Sequence, residues 1–170
     1  MKNMNLMTKI FLDKIILNIC TGKSGNILES AKTALDQITN KKSSVRNAKK
    51  AQRDWGVRKG EPIAAAVTIR KRDSVLLLKR LLLAKKNKIP QRSFDNFGNF
   101  SFGIKEHIDI PGIKYDPQIG IFGLNVSVSL ARLGFNIRLK RNNKKIGQLH
   151  RISLDDAKKF MIKEFDVELY

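Results

Sequence analysis

The order of apolar and polar residues along the chain predicts four β-strands. In each segment, aliphatic or aromatic residues recur at every second position over at least part of its length, which is the spacing of a strand that buries one face. The clearest is GLNVSVSL, in which aliphatic residues alternate with Asn125, Ser127 and Ser129. The four predicted strands cover residues 12–20, 63–70, 100–104 and 123–130.

Three other segments repeat their apolar residues every three or four positions, which predicts amphipathic helices. They run from about residue 25 to 39, from 73 to 86, and from 153 to 165. Ser24, Asp73 and Ser153 stand where side chains that cap helices are preferred.

Strands separated sometimes by helices and sometimes by turns predict an α+β fold. The sheet is expected to be mainly antiparallel, with the helices packed on one face and the other face available to a ligand. No linker rich in Pro, Gly or Ser divides the sequence, so residues 1–170 are expected to form a single domain.

The stretch SFDNFGNFSFGIKEH, residues 93–107, concentrates phenylalanine and glycine. Alternation places Phe100 and Phe102 on the same side as Ile104, which predicts core packing rather than a platform for stacking bases. The outward residues of all four strands are mostly small hydrogen-bonding groups. They are Asn18, Thr68, Arg70, Ser101, Lys105, Asn125, Ser127 and Ser129. Such a face is either simply solvated, or its side chains are short enough for an RNA backbone to lie against it.

The charge of the chain changes this picture, because 34 Lys and Arg face only 15 Asp and Glu and leave a net charge of +19. A surplus of that size on a small folded protein indicates a polyanionic partner, above all nucleic acid. Much of it lies in two segments, a basic loop at residues 41–59 and a later basic segment at residues 138–145. Trp55 lies in the basic loop between Arg53 and Arg58; it could stack on a base or fold back to anchor the loop.

Metal and cofactor chemistry are not expected. Cys20, His107 and His150 are the only Cys and His residues, one fewer than the four ligands of a structural zinc site. No apolar run approaches the ~20 residues of a membrane span, and the N-terminal residues do not have the apolar core of a signal peptide. No membrane partner is predicted.

Two motifs keep an enzymatic alternative open. Gly22-Lys23-Ser24 between a strand and a helix resembles half of a nucleotide-binding loop, although Leu17 replaces the first glycine of that pattern. The amides and side chains of such a loop would also hold an RNA phosphate. His107 and Asp109 would share one face of a strand, but no nucleophile accompanies them, so a structural or RNA contact is the favoured role of His107.

The sequence also resembles a known family along nearly its whole length. The segments LNICTGKSGNILESAKTALDQIT, DWGVRKGEPIA, FDNFGNFSFGIKEHIDIPGIKYDPQIGIFGLNV and HRIS occur here in the order and at the spacing of the universal large-subunit ribosomal protein that binds 5S ribosomal RNA. This family is called L five in bacteria and L eleven in eukaryotes. GIKYDPQIGIFGLN and HRIS are more similar to its eukaryotic and archaeal branch.

The resemblance implies a structural constituent of the large ribosomal subunit, not an enzyme. Its implied partners are 5S rRNA in the central protuberance, large-subunit rRNA, the elbow of peptidyl-site tRNA, a neighbouring protein of the L eighteen family, and a small-subunit protein of the S thirteen family across an intersubunit bridge. The implied location is the cytoplasm, with nucleolar assembly in a eukaryote. With the basic segments, the candidate RNA-binding residues are Asn18, Gly22, Lys23, Ser24, Arg46, Lys49, Lys50, Arg53, Trp55, Arg58, Lys59, Thr68, Arg70, Ser101, Lys105, His107, Arg138, Lys140, Arg141, Lys144, Lys145, His150 and Arg151.

Two positions depart from the family pattern. Lys23 stands where many members carry an acid, which should strengthen phosphate binding. Lys71 follows Arg70 where glycine is common, which leaves the geometry of that turn open.

Overall fold

A computed structural model describes residues 5–142 and 145–170. In chain order its elements are β1 (Ile10–Cys20), α1 (Asn26–Thr39), β2 (Ser44–Asn47), β3 (Pro62–Arg70), α2 (Arg72–Ala84), β4 (Lys88–Ile89), β5 (Phe100–Ile104), β6 (Leu124–Arg132), α3 (Leu154–Phe165) and β7 (Glu168–Leu169). No helix within these residues is long and apolar enough to cross a membrane.

Five strands form one antiparallel sheet in the order β2-β3-β1-β6-β5, and β4 pairs with β7 as a short parallel ribbon. β1 is the longest strand and lies at the centre, paired with β3 on one side and β6 on the other. This confirms the predicted α+β class. Lys144 lies outside the described residues.

The core fills the space between one face of the sheet and the three helices. Ile15, Leu17 and Ile19 are at most 1% exposed and belong to one cluster with the buried residues of α1, α2 and α3. A bulge between Leu12 and Lys14 lets Leu12 and Ile15 both face this core. The helices therefore lie on a single side of the sheet, as alternation predicted.

The two phenylalanines of β5 belong to the core. Phe100 and Phe102 are 3% and 7% exposed, and the Phe100 ring stacks on that of Phe94 with centroids 4.9 Å apart. Phe100 pairs with Val128, and Val128 pairs with Ile15, so the rings continue an apolar row across three strands. The prediction that these rings hold the sheet against its helices is confirmed.

Of the three predicted helix caps, one is right. The Ser153 hydroxyl accepts a hydrogen bond from the Asp156 amide, as expected of a capping serine. Ser24 does not cap α1, because Gly25 occupies the N-cap and the Ser24 hydroxyl donates to Glu61 instead. Asp73 lies inside the first turn of α2, whose N-cap is Lys71.

Candidate nucleic-acid interface

The face of the sheet opposite the helices carries mainly short side chains, many of them polar. Directly opposed residues of antiparallel strands share a face, so the register defines this open face. It consists of Lys14, Ile16, Asn18, Cys20, Ser44, Arg46, Ala64, Ala66, Thr68, Arg70, Ser101, Gly103, Asn125, Ser127 and Ser129. One row joins Thr68, Ile16, Ser127 and Ser101 across four strands. With few large side chains, a flat ligand can approach the backbone closely.

The charge on the open face is positive. Lys14 and Arg70 are opposed in the register of β1 and β3. Among the described strands, Asp13 is the one acid beside this face, and its Oδ1 lies 3.5 Å from Arg70 Nη1. Both side chains are well exposed, so this ion pair is weak. A broad depression at this end of the sheet is lined by Lys14, Arg70, Ser129 and Arg138, which brings the later basic segment to the open face.

A second cationic cleft lies where β3 turns into α2. It is lined by Lys41, Thr68, Arg70, Lys71 and Arg72 with Asp73. Lys41 Nζ is 2.6 Å from Asp73 Oδ2, and this hydrogen bond and charge hold the pKa of Asp73 below its usual value.

The backbone of Lys71 at this cleft is strained. Its φ of 64° and ψ of −144° lie in a region that side-chain-bearing residues rarely occupy. The turn at Lys71, whose geometry the sequence did not determine, therefore has a backbone conformation that glycine would adopt without strain.

The first loop, residues 21–25, leads from β1 into α1 and exposes Lys23 and Ser24. Gly22 and Gly25 have positive φ values of 69° and 95°, which turn the chain without steric cost. The amides of Thr21 and Gly22 donate to Ile63 O, so the loop is tied to β3. The N-cap of α1 makes no side-chain hydrogen bond. The free amides of the first turn of α1 therefore lie at the N-terminal end of the helix, next to the loop that carries Lys23.

Glu61 connects the first loop to the basic loop. One carboxylate oxygen accepts from the Ser24 hydroxyl at 2.9 Å and the other from the Arg58 amide at 3.0 Å. These bonds, the Arg58 amide above all, lower the pKa of Glu61, so it is ionised at neutral pH. This carboxylate therefore ties together two loops that carry candidate RNA-binding residues.

The tip of the basic loop is a tight hairpin. Gln52 and Val57 form an isolated antiparallel bridge around a 3-10 turn at Arg53–Trp55. Trp55 is 77% exposed, so its ring is not folded back onto the loop. The predicted cations of the loop are all exposed: Arg46, Lys49, Lys50, Arg53, Arg58 and Lys59. Of the two roles that the sequence left open for Trp55, ligand contact is the one that this position allows.

The later basic segment begins in a 3-10 helix at Phe135–Leu139 and exposes Arg138, Lys140, Arg141 and Lys145. Beside it, Arg132 binds the carbonyls of Leu149 and Arg151 and the Asp156 carboxylate. Arg151 is thereby held in place with its side chain exposed.

His150 lies next to Arg151 and is half-buried. Its Nε2 lies 2.8 Å from Leu133 O. Because a carbonyl can only accept, Nε2 carries the hydrogen and donates this bond, so it is not free to contact a ligand.

His107 is not available to a ligand, which corrects the prediction that it contacts RNA. It is 2% exposed and begins a 3-10 turn at His107–Asp109, so strand alternation does not apply to the proposed pair with Asp109. Nδ1 accepts from the Phe122 amide at 3.2 Å. Burial lowers the pKa of His107. A neutral, buried histidine that fastens two backbone segments is structural.

Two predicted positions of β5 and its end are exposed. Ser101 lies on the open face, and Lys105 follows the end of the strand.

Some cations of the interface were missed. Lys14 and Arg72 were not selected from the sequence, although the alternation that turns Asn18 outward also turns Lys14 outward. Arg72 preceded the predicted helix, which was expected to begin at Asp73, whereas the structure places it at the start of α2 beside the cleft.

A small α+β protein with a positive sheet face of short side chains and with exposed basic loops has the features expected of a nucleic-acid-binding protein. Comparison with known proteins gives the particular family. Residues 5–58 match the family described as ribosomal protein L5, and residues 62–165 match the model of the C-terminus of the same ribosomal family. The chain belongs to the ribosomal protein L5 family.

Curated relatives agree over most of their length. The chain is 58% identical over 162 residues to the large ribosomal subunit protein uL5 of Nitrosopumilus maritimus, covering 95% of this chain and 94% of the relative. It is 56% identical to uL5 of Cenarchaeum symbiosum, covering 96% and 97%, and 43% identical to uL5 of Pyrobaculum aerophilum, covering 96% and 92%. The predicted family is confirmed, and these archaeal relatives agree with the predicted similarity to its eukaryotic and archaeal branch. The protein is a ribosomal protein of the large subunit, and the enzymatic alternative is wrong.

Proposed function

We propose that the open face and the first loop bind 5S rRNA in the central protuberance of the large ribosomal subunit. The observation that carries this proposal is the combination of small hydrogen-bonding residues with Lys14 and Arg70 on one uninterrupted face. The minor groove of A-form RNA is wide and shallow, displays 2′-hydroxyls and base edges, and is bordered by phosphates, which suits a flat polar surface. Binding then depends on charge neutralisation and shape more than on reading bases.

The hairpin of the basic loop is the proposed contact with the elbow of peptidyl-site tRNA. Trp55 is exposed at its tip, and Arg53 and Arg58 flank it in the sequence. An exposed ring on a loop that also carries arginines can stack on a base while the cations hold phosphates.

The later basic segment is the proposed contact with large-subunit rRNA or with a small-subunit protein of the S thirteen family across an intersubunit bridge. A protein of the L eighteen family is proposed as the neighbour on 5S rRNA, and the cytoplasm as the location. Exposed Arg138, Lys140 and Arg141 support a polyanionic contact for this segment.

The test places an acid on the open face. Thr68→Glu puts a carboxylate in the row that crosses four strands, where it would face the RNA backbone. The matched control is Gln37→Glu, which makes the same change of charge at an exposed position of α1, on the helix side of the sheet. We expect Thr68→Glu to weaken 5S rRNA binding by about 10- to 100-fold, since like charges at an interface cost several kcal/mol.

Binding of the unmodified protein measured at 50 and 200 mM salt gives an independent readout. A face that makes about 6 to 10 phosphate contacts loses about 10³ to 10⁵ in affinity over this range. Equal effects of Thr68→Glu and Gln37→Glu would show that the RNA does not lie on the open face. A flat salt profile would contradict binding by charge neutralisation.

A further inference from the structure

Phe97 is the exposed phenylalanine of the stretch SFDNFGNFSFGIKEH, with 58% of its surface accessible. The loop that carries it is firmly held. Asp95 Oδ1 accepts from the amides of Phe97 and Asn99 at 2.9 and 2.7 Å. Gly98, with φ of 78°, packs so closely on Ile152 that a Cβ there would lie 2.6 Å from its Cγ2. The ring is therefore exposed on a rigid turn, at the cost of leaving apolar surface in water.

Phe97 forms one wall of a small cavity of about 210 Å³. Phe135 and Ile152 supply further apolar walls, and Arg138, Lys145 and Arg151 supply cations. No acid of residues 5–142 or 145–170 lines it. The cavity is smaller than the ~300 to 1,000 Å³ of sites for drug-sized ligands, so it fits one planar ring but not a helix or duplex.

The other aromatic wall is also fixed. The Phe135 ring packs edge-on against His150 with centroids 5.6 Å apart. His150 is itself bonded through Nε2 to Leu133 O at 2.8 Å. The Phe135 ring therefore does not need to be ordered on binding, and the backbone that carries Phe97 is already held, which lowers the entropic cost of binding.

We propose that this cavity receives a single unpaired base of RNA, with the three cations holding the phosphates on either side of it. Bases stack on aromatic rings regardless of their identity, and arginine and lysine neutralise the flanking backbone. A protein neighbour would also find an apolar cavity here, but three uncompensated cations around it favour a polyanion. The inference rests on the proposed RNA-binding function and adds to it a contact that requires a base outside a helix.

The test compares two hairpin RNAs, one fully paired and one with a single-nucleotide bulge, by fluorescence anisotropy with the full chain. A stacked base contributes about 1 to 3 kcal/mol, so the bulged RNA should bind about 5- to 150-fold more tightly. Phe97→Ala should remove this preference and Phe97→Tyr should retain it. Phe97 is exposed, so these variants should fold, and circular dichroism checks that they do. Lys145→Gln is a second variant, outside the Phe97 turn, and it should weaken binding of the bulged RNA.

Trp55→Ala is the matched control, because Trp55 is also an exposed aromatic residue among cations but lies in the basic loop. It should keep the preference for the bulged RNA. Equal binding of both hairpins by the unmodified protein, or a preference that survives Phe97→Ala, would overturn the proposal. Loss of the preference in Trp55→Ala alone would assign base stacking to the basic loop instead.

Parallel binding of 5S rRNA separates this proposal from the function on which it rests. Intact 5S rRNA binding without any preference for the bulge refutes only the cavity. A preference for the bulge without 5S rRNA binding refutes only the proposed 5S contact on the open face.

Discussion

Replacing Lys71 by glycine should make the protein more stable. Lys71 has a φ of 64° and a ψ of −144°, whereas Asn40 and Asp166, which also have positive φ, have ψ values of 29° and 43° in the ordinary left-handed region. The Lys71 conformation is nearly exclusive to glycine, and a side-chain-bearing residue held in it carries strain of about 1 to 3 kcal/mol.

The expected gain is smaller than the strain, because glycine makes the unfolded chain more flexible by about 0.5 to 1 kcal/mol. The unfolding free energy should therefore rise by up to about 2.5 kcal/mol, with the middle of both ranges giving about 1 kcal/mol. At about 2 to 4 °C per kcal/mol for a chain of this size, the melting temperature should rise by about 2 to 4 °C for the middle value and by no more than about 10 °C.

Lys71→Ala is the control, because it removes the same charge from beside Arg70 and Arg72 but keeps a Cβ in the strained conformation. Urea unfolding of the three proteins at one ionic strength gives the comparison. We expect alanine to leave stability within about 0.5 kcal/mol, as is usual for exposed substitutions. Equal stabilisation by alanine and glycine would mean that relief of charge repulsion, not of backbone strain, raises stability. A less stable glycine variant would refute the strain altogether.

Two further changes test other parts of the molecule. Replacing Arg53, Trp55 and Arg58 together by Ala should leave folding intact and change 5S rRNA binding by no more than about twofold. It should weaken tRNA binding by about tenfold or more, since stacking contributes about 1 to 3 kcal/mol. Gel shifts with both RNAs measure this, and lost 5S rRNA binding would show that the basic loop belongs to the 5S contact and not to a separate tRNA contact. Burial lowers the pKa of His107, so its contribution to stability is complete above the unfolded value of about 6.5 and is lost as pH falls below it. Denaturation between pH 7 and 5 should show this loss in the unmodified protein and in His150→Gln, and a flatter profile in His107→Gln; an unchanged profile in His107→Gln would contradict a neutral, buried imidazole.

Alternation predicted the sheet well because each long strand buries one face completely. Leu17 and Val126 are fully buried, while Asn18 and Ser127 lie on the open face. A pattern of period two records that difference directly in the sequence. The same pattern assigned Phe100 and Phe102 to the core without any knowledge of their partners.

Predictions that depended on a distant partner failed. Ser24 stands in a good capping position, but Glu61, 37 residues later, takes its hydroxyl. Asp73 is likewise engaged by Lys41 across 32 residues. His107 was assigned to an extended strand, whereas the chain turns there and buries the ring against Phe122. Capping preferences and strand alternation depend only on neighbouring residues, so they do not predict these tertiary contacts. The cavity beside Phe97 was missed for the same reason.

The central place of β1 in the sheet sets the order in which this protein can mature. β1 precedes the other described strands in the chain, yet it pairs with β3 and with β6, so that Ile15 meets Val128. Pairings between residues so far apart form slowly and only after most of the chain exists. A growing chain that has not reached β6 therefore exposes an apolar, half-paired strand and has no finished open face. The proposed binding of RNA by the open face therefore requires a chain that extends at least through β6.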